Sequence, residues 1–346
     1  MMRLTRTPLG AFRSVIVRCK STEEGVSIFD RQLKSRHRDF SLTLPEEEGR
    51  YYDYLREESA ARIADRIEDI SRTFKVGLEL GCHRGHLYDL INGTESLGDE
   101  GGGIGGIQTL YQCDIAPSAA RTDDTDGKSS LVKAHYLHGD EESPLPFKPA
   151  SFDIVLSSLS LHWINDIPGV LKQIKTVLKP DGVFIGSMLG GSTLQELKDC
   201  IYLAEQERKG GFSPHASPLA LPSDVAGLMQ GTGFRLPTID VDTHTISYPD
   251  AFTLMEHLGF MGENNATYNR RYNVGRDTFL AAASIYQEKY GMEDGSVPAT
   301  FQIIYVIGWQ YAESQPKPMK RGSGTHSLKD LKAVKLDKPV RPLPER

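Results

Sequence analysis

The chain has 346 residues, 39% hydrophobic and 25% charged, with a formal net charge of −6. That length suits one large domain with appendages or two small ones, and is enough for a sizeable core. No apolar run reaches the ~18 residues needed to span a bilayer, although peripheral membrane attachment stays compatible with the composition.

Residues 1–22 contain Arg3, Arg6, Arg13, Arg18 and Lys20 and no acid, with Leu4, Leu9, Phe12, Val15 and Ile16 interspersed. An arginine-rich, acid-free, amphipathic start reads as a mitochondrial presequence. Losing its five cations would take the formal charge from −6 to −11. A body that acidic is not a general nucleic-acid binder, whose affinity comes from cations on phosphates.

Residues 23–50 form a charged N-terminal extension containing FDRQLKSRHRDF. A helix is expected over 54–72, with Leu55, Ile63, Ile67 and Ile70 at helical spacing. It leads into a strand at 76–80, and another helix starts at 86. Residues 93–108 hold seven glycines and read as a flexible surface insertion. Strands follow at 109–113, about 134–137 and 152–157, the last an apolar run of the kind buried in a parallel sheet. A helix at 166–178 stops at Lys179-Pro180-Asp181-Gly182, a breaker and turn. A strand at 183–188 and a helix at 192–208 come next. Residues 210–222 are a loop rich in Gly, Ser and Pro, of which 210–218 could be a lid over the substrate, and a helix follows at 223–231. Two β-like stretches, 237–247 and 301–310, flank helical segments at 249–258 and 275–290. Residues 313–346 read as a disordered basic tail. The alternation of strand and helix implies a mostly parallel α/β sheet with helices on both faces.

Ligands on such sheets bind at the carboxyl ends of the strands. The first strand ends at Glu79 and enters a loop with Gly81 and Gly85. The second ends at Asp114, the third leads to Asp140 and Glu141, and the fourth ends at Ser157 in SSLSLHW. Glycines let backbone approach a ligand closely. A carboxylate after the second strand can accept bonds from ribose hydroxyls, and one after the third from a purine amine.

E-x-G-x-x-x-G, the acid after strand two, D-E before LPF, FD in strand four, LHW, and LKPDG before strand five resemble the class I S-adenosylmethionine-dependent methyltransferase fold, Rossmann-like. The loop spacing differs from the G-x-G-x-x-G of dinucleotide folds. On that resemblance Glu79, Gly81, Gly85, Asp114, Asp140, Glu141 and Ser157 are the expected S-adenosylmethionine contacts, within a methyltransferase-like domain at 51–312. His83 departs from the pattern by replacing the usual middle glycine, which would set its ring near the cofactor. The Gly-rich insertion lengthens the path to Asp114.

FDR at 29–31, YLREESAARIADRIEDI at 54–70, SSLSLHWINDIP at 157–168, AEQERKGGFSPHASP at 204–218 and the run 276–309 are very similar to the mitochondrial complex I assembly factors that act as arginine hydroxylases. This resemblance covers about 29–312. It implies hydroxylation of an arginine in an iron–sulfur subunit of complex I, work alongside other assembly factors, and a matrix location on the inner membrane. Two other readings stay open. One is a true methyltransferase acting on a protein side chain or small carboxylate, nearest in pattern to the O-methyltransferase of biotin synthesis. The other is a non-catalytic assembly chaperone.

Candidate catalytic residues are His162 and Trp163 at the end of strand four, and Glu263. Trp163 could wall a planar cation, and Glu263 could hold a substrate arginine bidentately. Met261, Gly262, Glu263 and Asn264 with Arg270 and Arg271 could contact a peptide. His138-Gly139-Asp140 with His215 or His244 has the composition of a two-histidine, one-carboxylate iron site, but Asp140 already has a role, and no metal site is expected. Cys19, Cys82, Cys113 and Cys200 lack CxxC spacing; Cys82 and Cys113 fit buried thiols.

Overall fold

The computed structural model describes residues 27–93, 102–119, 130–211, 213–271, 274–316 and 321–322. The presequence at 1–22 and most of the tail lie outside them. The chain divides into Met1–Tyr311 and a small unit, Ala312–Arg346. The latter's described residues, 312–316 and 321–322, are mostly in turns.

In chain order the first unit runs α1 (Arg31–Thr43), α2 (Glu46–Tyr52), α3 (Tyr54–Glu68), β1 (Val76–Leu80), α4 (His86–Gly93), β2 (Thr109–Asp114), β3 (Lys133–His138), β4 (Phe152–Ser157), α5 (Ile167–Val177), β5 (Leu178–Leu189), α6 (Gln195–Lys209), α7 (Pro222–Gly231), β6 (Arg235–Tyr248), α8 (Ala251–Phe260), α9 (Arg276–Tyr290) and β7 (Val297–Trp309). Several helix starts are written locally. The Asp30 side chain caps α1 through Leu33 N, Asp166 caps α5 through Gly169 N, and Asp250 caps α8 through Phe252 N and Thr253 N.

The strands form one sheet ordered β3-β2-β1-β4-β5-β7-β6. Pairing is parallel from β3 to β5 and antiparallel where β7 meets β5 and β6. Central strands are buried on both faces, so they read as apolar runs rather than alternating ones. Val183 and Ile185 of β5 enter one core cluster with Ile63, Ile67 and Leu87, while Phe184 enters the other with Leu171 and Ile174. Each such Leu, Ile or Phe contributes about 1.5–3 kcal/mol through burial. No helix among the described residues is long and apolar enough to cross a membrane.

Three expectations change. The turn at 179–182 does not precede β5 but bulges within it. Phe152 pairs with Leu178 and Ile154 with Val183, and Asp181 takes φ 64°. The Gly-rich segment is not wholly a surface insertion: 94–101 lie outside the described residues, but Ile104 and Ile107 are buried in the core. Gly103 packs so closely on Ile91 that a Cβ would lie 2.1 Å from its carbonyl oxygen. The third concerns the charged extension. Its residues 31–43 are the helix α1, and Arg31, Lys34 and Arg38 on one face are buried in the domain.

Candidate active site

The carboxyl ends of β1, β2, β3 and β4 meet at one edge. Gly81 and Gly85 take φ 74° and 78°, and His83 between them takes φ 50°. Positive φ is easy for glycine and uncommon for other residues. His83 N donates to Asp114 Oδ2 at 2.9 Å and Ala116 N to Asp114 Oδ1 at 2.8 Å. Glu79 Oε2 accepts from Gln112 Nε2 at 2.8 Å. The Ser157 hydroxyl is buried and has no hydrogen-bond partner among the described residues.

The acids at this edge are met by α1. Arg38 Nη1 lies 3.3 Å from Glu141 Oε1 and 3.6 Å from Asp114 Oδ2, and its Nη2 donates to Ser160 Oγ at 2.7 Å. Arg31 reaches Asp140 Oδ1 at 2.7 Å and Glu141 Oε2 at 2.5 Å. Glu141 is fully buried. Burial alone would raise its carboxyl, but Arg31 and Arg38 outweigh that and hold it down at about 2. Gly81 faces the same group: a Cβ there would lie 2.3 Å from Ser160 Oγ. The edge thus has the expected donors and acceptors, and in this conformation α1 covers Asp114, Asp140 and Glu141.

Beside it the three catalytic candidates converge. Glu263 Oε2 accepts from Trp163 Nε1 at 2.7 Å and lies 3.1 Å from His162 Nε2 and 3.4 Å from Lys34 Nζ. Its Oε1 accepts from Arg56 Nη2 at 2.7 Å. Burial would raise this carboxyl; Lys34, His162 and Arg56 reverse that and hold it well below the usual range. Both oxygens are therefore engaged, and Glu263 does not present a free carboxylate to a substrate guanidinium. Trp163 is no open wall either, since Lys34 Nζ lies 3.5 Å from the centroid of its ring and Phe29 packs edge-on to it. Arg270 and Arg271 likewise face Asp30 and Glu205 rather than a free peptide surface.

A cavity of about 660 Å³ opens next to this cluster. His162, Trp163 and Glu263 form one end, and Ser213 to Leu219 line another side, so part of the expected lid is cavity wall. Leu55, Leu194, Leu197, Ile201, Met255 and Phe301 make it mostly apolar, with Asp199, Asn264 and Asn265 as acceptors.

The H-x-D iron set does not assemble. His138 Nε2 contacts Ile115 O, Asp140 is held by Arg31, and His215 Nε2 sits 2.8 Å from Glu205. Cys82 and Cys113 are buried, and burial pushes both thiols up, so neither is an activated nucleophile. The ring of His83 lies beside Asp53, whose Oδ2 is 3.9 Å from His83 Nδ1. Burial and the nearby Arg56 keep that imidazole neutral.

Sequence reasoning missed Arg31, Lys34, Arg38 and Arg56. The helical spacing of the first three was visible, since 31, 34, 38 and 41 share one face of α1. A cationic face reads as solvated until the acids it meets are known.

The strand order, the antiparallel β7 and the glycine loop at the end of β1 define a protein of the class I methyltransferase fold. Residues 78–186 match the methyltransferase domain family. The crystal structure of BH2331 from Bacillus halodurans superposes with TM-score 0.50 at 14% identity, covering 74% of this chain and all of that one, which speaks for the fold. The arginine-hydroxylase NDUFAF5, mitochondrial, of Danio rerio is 48% identical over 314 residues, 91% of this chain and 92% of the relative. Its counterpart in Homo sapiens is 47% identical over 306 residues, 88% of this chain and 84% of that protein. The chain belongs to the NDUFAF5 family of mitochondrial arginine hydroxylases.

Proposed function

We propose that this chain hydroxylates an arginine side chain of an iron–sulfur subunit during complex I assembly. The observation that carries the reading is similarity at nearly half of all positions across almost the whole length of named arginine hydroxylases. The cavity beside His162 and Glu263 supports it: an apolar trough with the Asn264 amide and the Asp199 carboxylate, which Gln195 and Tyr290 hold, at its wall suits an aliphatic stem ending in a guanidinium. His162 at its edge is the chain's candidate for moving a proton there. Burial lowers its pKa, and Glu263 holds its Nε2.

The cofactor edge is proposed to hold S-adenosylmethionine. Asp114 is suited to ribose hydroxyls, Asp140 and Glu141 to a purine amine, and the orphaned Ser157 hydroxyl to a further polar group. Gly81 and Gly85 allow close backbone approach, and Glu79 steadies the strand end through Gln112. When bound, that cofactor would supply a sulfonium. Occupancy of these acids needs Arg31 and Arg38 to withdraw from them.

Matrix placement against the inner membrane belongs to the same proposal. Exposed Phe40 stacks on Phe260, and exposed Tyr51 packs on Tyr52 and His257, giving an aromatic surface suited to an interface. The other assembly factors would meet the protein there.

The test is mass spectrometry of the complex I iron–sulfur subunits with and without this protein. The expected result is an arginine that lacks one oxygen when the protein is absent. An arginine lacking a methyl group instead would make the chain a conventional transferase. Failed assembly with no changed modification would make it a chaperone.

A further inference from the structure

Beyond the His83 backbone bond to Asp114 and the turn at Gly85, the HRGH run at 83–86 serves nothing described so far. His83 holds φ 50° in a loop where glycine would be easier. Its ring is 2% exposed, and among the described residues neither nitrogen has a hydrogen-bond partner. Buried polar atoms are nearly always paired, so two open nitrogens on one buried ring call for a ligand. His86 Nδ1 and Asp53 Oδ1 are buried and equally without a hydrogen bond among the described residues.

The three side chains cluster through Asp53 Oδ2, His86 Nε2, which hydrogen-bonds to it, and His83 Nδ1. One donor atom from each of Asp53, His83 and His86 lies within 4.8 Å of the others, the one such group among the described residues. His86 Nε2 is 3.0 Å from Asp53 Oδ2, and His83 Nδ1 is 3.9 Å from it. Histidine and carboxylate ligands sit about 2.0–2.2 Å from a divalent metal, which sets neighbouring donors about 3–3.4 Å apart. The observed separations bracket that span. The ligands also come from ordered places: Asp53 from the junction of α2 and α3, His83 from the loop after β1, and His86 from the first turn of α4.

We propose that Asp53, His83 and His86 bind a divalent transition-metal ion. Two imidazoles and one carboxylate with open positions is the ligand set of non-haem iron(II) sites, which makes iron(II) the favoured ion. Arg84 Nε donates to Asp53 Oδ2 at 2.9 Å and orients the carboxylate from the outer shell. Arg84 and Arg56, whose Nε is 3.8 Å from Asp53 Oδ1, face Asp53 itself and Glu57, whose Oε1 is 4.0 Å from His86 Nδ1. The proposal rests on this geometry alone. It would survive a different substrate assignment, and no reaction step is assigned to the metal.

The experiment is anaerobic titration of the full chain with cobalt(II) as a spectroscopic probe and with iron(II), reading visible ligand-field absorption and metal per chain after desalting. One metal per chain is expected. His83→Gly suits the positive φ and so should fold, as circular dichroism would check. It is expected to weaken binding by more than about tenfold, and Asp53→Asn to do the same. If Asp53→Asn fails to fold, His83→Gly still decides. Absence of bound metal in the natural chain, even after refolding with cobalt(II), overturns the site. So does equal affinity in His83→Gly, which would mean adventitious binding elsewhere.

Discussion

Arg38 and Glu141 are 103 residues apart in the chain, yet the Arg38 guanidinium lies 3.3 Å from the Glu141 carboxylate with both side chains buried. A helix from outside the strand–helix alternation thus closes the edge where a methyltransferase fold receives its ligand. The pair stabilises the closed arrangement only while both charges are present, since a buried charge left without its partner is costly. Arg38→Met is expected to lower unfolding stability by about 3–5 kcal/mol. Urea denaturation checks this, and a loss below about 1 kcal/mol would mean that Arg31 alone suffices for Glu141.

The same pair sets an acid limit. The Glu141 carboxyl is depressed to about 2 in the fold, against an unfolded value of about 4.3. Its contribution is therefore fully present above the unfolded value and is lost as pH falls from there toward about 2. Stability of the natural chain minus that of Glu141→Gln should shrink between about pH 5 and pH 2. A difference that stays flat across that window would remove Glu141 as the titrating group.

At the second hub, Glu263→Ala strands Lys34 and Arg56 in the interior, with an expected cost of about 3–5 kcal/mol. Removing Lys34 as well should recover part of that loss, because an apolar replacement for a buried pair is often close to neutral. The measurement is a double-mutant cycle with Lys34→Met. Strict additivity would mean the two side chains act independently.

Cofactor affinity should respond in opposite directions to two substitutions. Asp114→Asn is expected to weaken S-adenosylmethionine binding by about 1.5–3 kcal/mol, the scale of a hydrogen bond to a charged acceptor. Arg38→Met is expected to tighten it, since the cofactor then displaces no guanidinium from Asp114 and only that of Arg31 from Glu141. Isothermal calorimetry reads both. Unchanged affinity in Asp114→Asn would take that residue out of the site.

Much of the fold was legible because its signal is local. Strands β1 and β4 are apolar runs bounded by turns, and their limits at 76–80 and 152–157 follow from composition. The acids at 114, 140 and 141 and the glycines at 81 and 85 could be placed on one edge because parallel strands deliver their carboxyl ends together. The HRGH run was visible too, but its carboxylate partner Asp53 lies 33 residues before His86, across a helix and a strand.

By itself, then, the sequence determined the strand–helix alternation, the edge that carries the site, and the family to which the long shared runs belong. Only the tertiary structure decided which charges meet. It set Arg31 and Arg38 on Glu141, filled both oxygens of Glu263, and put the His83 ring beside Asp53. The physical reason is that apolar periodicity is written residue by residue. A buried charge, by contrast, is defined by the partner it finds, and that partner is supplied by packing between distant segments.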